Sequence, residues 1–381
     1  MRLKRFILLG PAHPYRGGIA ETQNYLAKNL SNLGYEVLLF TFKFQYPKIL
    51  FPGKTQYTSK TYPNGIVIKR KVNSVNPFNW IKVTEEINEY NPDVVFFRYW
   101  TPFISPCWSS IAYGLSKKIK KVAFVDNWIP HERSYFDNKM NNFFRNKMNA
   151  FITLSTSVAN EIKLNSSENL IFEGFHPISD DLPEVISRNK ARKKLGWSKD
   201  KKIVLFFGII RKYKGLDLLI ESFSKSPLKS SNTVLAIVGE PYEKEKKYTK
   251  LVQNLNLEER VICDFNYADN YKARDVICAA DVIAQTYRSA SQSGVTPLAY
   301  YYQTPILVSD LPGLKEPILR DGTGIISDKN PKNIAENLKK ILEEESLSNY
   351  KKQIIKIVKK YDWKSFCKSI VNLLEDIAVI E

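Results

Sequence analysis

Short runs of β-branched and aromatic residues alternate with helical patterns along almost the whole chain, and this alternation narrows its possible folds more than any other feature. Arg5–Leu9, Glu36–Thr41, Val94–Arg98, Val122–Asp126 and Ala150–Leu154 form a first series, with helical stretches such as Ala20–Leu33 between several of them. A second series follows at Ile203–Phe207, Val234–Val238, Val261–Asp264, Val282–Gln285 and Ile306–Ser309. Strands separated by helices pair in parallel, because a parallel crossover needs a dozen or more residues and a helix supplies them. Each series therefore predicts a parallel sheet with helices on both faces. Between them, His176–Asn189 (HPISDDLPEVISRN) holds Pro and Asp, lacks a period and reads as the linker. The length agrees, since 381 residues exceed one ordinary α/β domain. Asn333–Ile380 reads as mostly helical with charged faces.

Composition removes several function classes. No apolar run reaches the ~18–20 residues of a membrane span. The N-terminus, MRLKRFILLGPAHPY, superficially resembles a signal peptide, but its apolar core is about five residues, short of the ~7–15 of a signal. It reads as the first strand of a sheet. Cys107, Cys263, Cys278 and Cys367 are scattered, so neither disulfides nor a zinc cluster is expected, and a reducing cytoplasm fits. The formal charge of +18 points to anionic partners. It is spread along the chain without a helix-turn-helix, zinc-finger or RNA-recognition signature, so nucleic acid is not expected.

Two segments carry chemistry. LFFGIIRKYKGLDLLIESF, from Leu205, and AQTYRSASQSGVTPLAYYY, from Ala284, each read as a buried strand entering a polar turn that opens a helix. The first turn bears Arg211, Lys212 and Lys214 before Gly215; the second bears Arg288, then Ser289, Ser291, Gln292, Ser293 and Gly294, with its helix expected near Ser293. On one parallel sheet, such turns gather backbone N–H groups and cations at the carboxyl edge of the strands. Phosphorylated ligands bind there. A nucleotide diphosphate suits that pocket. The loop at Gly17 and Gly18 lacks the spacing of a dinucleotide fingerprint.

Taken in order, GPAHPYRGGIAETQNYLAKNLSNLGYEV, VDNWIPHE, AFITLSTSVANEI, FFGIIRKYKGLDLLIESF and YRSASQSGVTPLAYYYQTPILVSDLPGLKE resemble the GT-B glycosyltransferases. The likeness is to the large retaining family 4 of nucleotide-sugar transferases, and it covers nearly the whole chain. It implies an α/β fold of two Rossmann-like, doubly wound parallel-sheet domains facing across a cleft. Residues 1–182 would bind the acceptor and 183–360 the nucleotide sugar, with 361–381 a helix crossing back to the first domain.

The resemblance also assigns roles. Arg211 and Lys214 would hold the diphosphate, although the family's Arg directly follows the strand-ending Gly, and here Ile209 follows Gly208. Gly17, Gly18, Gly208, Ser289, Ser291, Gln292, Ser293, Gly294, Val295 and Glu316 would line the donor. Most members carry a glutamate pair that here falls on Ala290 or Ser291 and on Leu298 or Ala299. The chain resembles instead a subgroup with a Ser-X-Ser-Gln-Ser-Gly segment. His131 would lie near the transferred sugar, with His13, Asp126 and Glu132 on the acceptor side, while His176 reads as structural. No cofactor is expected, and no metal, since no DxD triplet stands in a strand-loop context.

Phe42–Lys54 and Arg133–Phe151 mix aromatics with cations, which fits a lipid-linked glycan acceptor and peripheral contact with the anionic inner face of the membrane. The expected activity is transfer of a sugar from a UDP- or GDP-linked donor to a glycan or lipid-linked hydroxyl. The competing readings are a sugar-nucleotide epimerase or phosphorylase on the same scaffold, and a non-catalytic nucleotide-sugar or glycan binder.

Overall fold

A computed structural model describes residues 3–46, 56–58, 61, 64–129, 136–164 and 170–379. They fall into two compact units: one runs to Ser179 and resumes at Asp362, and the other spans Asp180–Tyr361.

The first unit holds a seven-stranded sheet in the order β3-β2-β1-β4-β5-β6-β7. Its strands are β1 (Arg5–Leu9), β2 (Glu36–Phe44), β3 (Val67–Asn73), β4 (Val94–Tyr99), β5 (Lys120–Val125), β6 (Ala150–Thr153) and β7 (Leu170–Glu173). Helices α1 (Gly18–Asn32), α2 (Pro77–Tyr90), α3 (Ser105–Gly114), α4 (Asp137–Arg145) and α5 (Thr156–Lys163) cover it. The second unit holds six strands in the order β10-β9-β8-β11-β12-β13. These are β8 (Lys202–Phe207), β9 (Thr233–Val238), β10 (Val261–Asp264), β11 (Val282–Gln285), β12 (Ile306–Ser309) and β13 (Gly324–Ser327). Its helices are α6 (Arg188–Leu195), α7 (Leu216–Phe223), α8 (Lys246–Asn254), α9 (Asn270–Ala279), α10 (Val295–Tyr301), α11 (Pro312–Asp321), α12 (Pro331–Ile341) and α13 (Glu344–Ile357). The last helix, α14 (Trp363–Val379), belongs to the first unit.

Every strand pair is parallel. Central strands are covered on both faces, so β4 (VVFFRY) and β9 (TVLAIV) are buried throughout and read as unbroken apolar runs. The strands that no such run announced are β3, β7 and β13, and all three are sheet edges. β3 (VIKRKVN) shows why, since an edge strand facing water keeps its lysines. In each sheet the chain order reverses beside the first strand, between β1 and β4 and between β8 and β11. Loops leaving β1 and β8 at their carboxyl ends therefore border the crevice where α/β sheets take ligands.

Leu182 stands in the second unit, not the first, together with Pro183 as expected. The Tyr301 hydroxyl donates to the Leu182 carbonyl at 3.4 Å and the Tyr302 hydroxyl to Pro183 at 3.3 Å. Tyr361 also stays there, its hydroxyl donating to Asp321. Two residues later the chain is in the other core. Trp363, Phe366, Ile370 and Leu374 of α14 are buried with Phe6, Leu26, Phe96 and Phe124.

The aromatic segment from Arg133 divides by face. Phe144, Met148 and Phe151 join the core. Phe136 and Phe143 are 59% and 53% exposed. Of Phe42–Lys54, Phe42 is buried in β2, and residues 47–54 lie outside the described residues, as do 133–135. Among the described residues no helix is long and apolar enough to cross a membrane.

Phe366 is fully buried against Phe124, Phe172 and Phe175. Phe366→Ala should lower stability by about 3–5 kcal/mol, read by denaturant unfolding of the whole chain. A loss under about 1 kcal/mol would mean that α14 contributes little to that core.

Candidate active site

The first cation site is built where β8 ends. Beyond its last residue, Ile210 N–H donates to the Glu240 carbonyl at 2.9 Å, and Tyr242 N–H donates back to Ile210 at 2.9 Å. The pairing with the β9 side thus runs past both strand ends. It carries Arg211 alongside Tyr242, with the guanidinium 4.7 Å from the ring centroid. This is the physical basis of the displaced arginine: Ile210 is used to extend the pairing.

The chain then makes one 3₁₀ turn, Lys212–Lys214, and enters α7 through Gly215. α7 buries Leu216, Leu219, Ile220 and Phe223, the i, i+3, i+4, i+7 stripe of a core-facing helix. Gly215 has φ +62°, and a Cβ there would stand 2.1 Å from the Thr286 carbonyl oxygen. The Thr286 hydroxyl donates to the Gly215 carbonyl at 2.9 Å. The turn after β8 and the end of β11 are therefore in backbone contact.

Lys214 is folded back over its own strand end. Its Nζ lies 3.6 Å from where a Cβ on Gly208 would be, Val295 Cγ2 lies 3.9 Å from the same point, and Nζ is 5.5 Å from the Tyr287 ring centroid. Among the described residues no carboxylate pairs with this ammonium. Burial lowers its pKa below the ordinary lysine range; the Arg211 charge adds to that, and Tyr213 opposes it. A half-buried, uncompensated cation is costly, and an arriving anion relieves the cost.

Arg288, the cation of the second turn, is engaged with protein groups. Its guanidinium takes the Asp217 carboxylate in a two-pronged pair at 2.7 and 2.8 Å and donates to the Lys212 carbonyl at 3.2 Å. Partial burial works to raise the Asp217 pKa, but Arg288 overrides it and holds the carboxyl below its usual range. Arg288 N–H also donates to the Tyr213 carbonyl at 2.6 Å. This arginine locks the two turns together.

In the hydroxyl run, Ser293 Oγ accepts from Val295 N–H at 3.3 Å and lies 3.5 Å from the Tyr287 hydroxyl. α10 starts at Val295 with Gly294 before it, slightly later than the expected start near Ser293. A Cβ on Gly313 would stand 2.0 Å from the Ser291 carbonyl oxygen, so the run packs against the first turn of α11, the helix that bears Glu316. Gly208, Lys214, Ser293 and Val295 thus gather around Tyr287. Ser289, Ser291, Gln292 and Glu316 are half-buried.

In the first unit, Gly17 and Gly18 are exposed at the start of α1, and a Cβ on either would meet nothing within 4 Å. His13 is half-buried in the loop between β1 and α1. Asp126 is not an open acceptor contact. It is 4% exposed, and both its oxygens are held by Arg98, Nε to Oδ2 and Nη2 to Oδ1, each at 2.5 Å. His131 and Glu132 lie outside the described residues. His176 is half-buried, its Nδ1 3.1 Å from the Pro177 carbonyl, with its pKa lowered by burial. Sequence reasoning missed Asp217, Tyr242 and Arg98. Only Arg98 left a signal, as a lone charge inside the apolar run VVFFRYW.

The family described as Glycosyl transferases group 1 matches residues 187–361, and Glycosyltransferase Family 4 matches residues 16–166. Together the two matches place the chain among the glycosyltransferases. An uncharacterised glycosyltransferase of Methanocaldococcus jannaschii is 28% identical over 239 residues, 58% of either protein, so the alignment spans little more than half that relative's length. Among solved structures, sucrose-phosphate synthase from Thermosynechococcus elongatus superposes with a TM-score of 0.78 at 16% identity, covering 99% of this chain and 100% of that one. Anabaena HepE in complex with UDP gives 0.70 at 14% identity, covering 98% and 100%. These likenesses establish the GT-B fold for this glycosyltransferase.

The Lys214 environment is directly testable. Its ammonium should titrate below ordinary lysines when followed by NMR of the reductively methylated protein, so the cation is present at low pH and is lost early as pH rises. Arg211→Ala should move that titration upward. An unshifted Lys214 would contradict the buried placement.

Proposed function

We propose that this glycosyltransferase moves a sugar from a UDP- or GDP-linked nucleotide donor to a hydroxyl of a glycan or lipid-linked acceptor, with retention of anomeric configuration, in synthesis of cell-surface polysaccharide or glycolipid. One observation carries the reading. Lys214 is a half-buried cation without a carboxylate partner among the described residues, seated against Gly208 at the carboxyl end of β8. As the bond between the anomeric carbon and the phosphate oxygen breaks, the diphosphate gains negative charge. A fixed cation in a partly dry site stabilises that developing charge more than the ground state.

Arg211, exposed over Tyr242, supplies a second cation to the same phosphates. Ser289, Ser291, Gln292, Ser293 and Gly294 offer hydroxyl and N–H donors, and Gly17 and Gly18 allow close backbone approach. The acceptor oxygen bonds to the anomeric carbon on the face that the phosphate leaves, and its proton passes to the departing phosphate oxygen. No carboxylate nucleophile takes part, and orientation is the protein's main contribution. His131 is assigned to the sugar's surroundings and Glu132 and His13 to the acceptor side. Glu316 reaches the donor from α11. The reaction is proposed to run without a metal.

The work site would be the cytoplasmic face of the membrane. Support comes from α3 and α4, where Lys147 Nζ lies 5.0 Å from the Tyr113 ring and 5.9 Å from the Phe143 ring. Tyr113 and Phe143 are exposed, as are Lys117, Lys118 and Lys139 nearby in sequence. Aromatic rings among lysines suit an anionic interface.

Lys214→Ala should lower turnover by about 10²-fold in a release assay for UDP or GDP over a panel of nucleotide sugars and acceptors. Near-normal turnover would remove Lys214 from the role, and tight nucleotide binding with no turnover over the panel would favour a binder. The protein should cosediment with vesicles containing phosphatidylserine, and Phe143→Asp with Lys147→Glu should release it. Equal sedimentation of the variant would discount this face.

A further inference from the structure

The most deeply buried charges of the first unit have no part in the reaction as described. Arg98 is fully buried in β4, its guanidinium 3.8 Å over the Phe124 ring and forked onto Asp126. Its Nη2 also donates to the Thr22 hydroxyl at 2.9 Å. That hydroxyl in turn donates to the Gly18 and Ile19 carbonyls, at 2.8 and 3.0 Å. The backbone of β1 yields to the same group, since a Cβ on Gly10 would stand 2.6 Å from Arg98 Cβ. A continuous polar chain therefore runs from the Asp126 carboxylate through Arg98 and Thr22 to the first turn of α1.

The turn that this chain reaches is tied by backbone on its other flank, where Arg16 N–H donates to the Gln56 carbonyl at 2.9 Å. Gly17 precedes α1 without a side-chain cap, and on its outer side the Gly17–Gly18 turn meets nothing within 4 Å of an added Cβ. Burying an ion pair is poor value as stability, because desolvation offsets most of the attraction. Its best-attested use is to fix geometry.

We propose that Arg98, Asp126 and Thr22 are positioning residues that fix the Gly17–Gly18 turn for the nucleotide-sugar reaction. This rests on the donor role given to that turn under the proposed function. Neither Arg98 nor Asp126 touches substrate, and both act through the Thr22 hydroxyl.

Three variants of the full chain test it. Thr22→Val deletes the hydroxyl and leaves the ion pair, Thr22→Ser keeps the hydroxyl, and Arg98→Met with Asp126→Leu replaces the pair by apolar groups that such sites tolerate. Each is read by thermal melting, by hydrogen exchange of the peptide spanning Gly17–Gln23, where Glu21 N–H donates to Gly17, and by nucleotide release from UDP-glucose or GDP-mannose, whichever the wild type consumes faster. Thr22→Val should speed exchange and slow release by about five- to tenfold, the scale of one lost hydrogen bond, and Thr22→Ser should restore most of both. The double variant should melt within a few degrees of the wild type and slow release at least tenfold.

Unchanged exchange in Thr22→Val overturns the inference, as does faster exchange with unchanged release. Lys214→Ala separates this failure from that of the proposed function. If release is insensitive to Lys214, the donor-site reading fails, and the exchange measurement still decides whether the clamp holds the turn.

Discussion

At Gly215 and Thr286 two backbone segments touch, and a hydrogen atom is the largest substituent that fits between them. The turn after β8 and the end of β11 are thereby held in one fixed relation. Given that contact, Asp217 on α7 and Arg288 beyond β11 fall within a two-pronged ion pair. The nearby acid is consumed by an arginine that would otherwise have competed for the ligand. Lys214 is left without a carboxylate among the described residues, with burial lowering its proton affinity. Its electrostatic readiness is thus a property of the junction between two loops.

Other buried and half-buried positive charge is used differently. Arg192 donates to the carbonyls of Ala279, Ser198, Lys199 and Lys201 and pairs with Asp281. Arg260 collects the carbonyls of Leu228, Lys229 and Thr233. These guanidinium groups satisfy carbonyls that loops leave unpaired, a task suited to five donors in a planar fork. A formal charge of +18 therefore overstates what is available to partners. At the end of β8 it leaves the half-buried lysine and the exposed arginine over Tyr242.

Strands buried on both faces were legible in the sequence, because a strand covered on both sides has no polar position to break its run. β1, β11 and β12 begin and end where the runs do. The strands β3, β7 and β13 were not; all three are sheet edges, where that signature weakens, although the edge strand β10 was still legible. Lys214 could be read from its place before Gly215. What Arg288 and Asp126 do could not be read, because their partners lie 71 and 28 residues away and meet only through sheet order. The aromatic run after Arg133 was ambiguous for a related reason: one helix spends Phe144 on the core and leaves Phe143 exposed, and the packing of α3 decides which.

The docking of α14 has a consequence for synthesis of the chain. Trp363, Phe366, Ile370 and Leu374 complete a core whose other members begin at Leu3. As the polypeptide leaves the ribosome, the second unit is the first whose residues have all emerged. The first unit must wait, with one flank of its sheet uncovered, until the final helix is released. The earlier-made lobe is thus the later to close, and translation pauses in the region of α13 would prolong the interval in which that flank is open to chaperones.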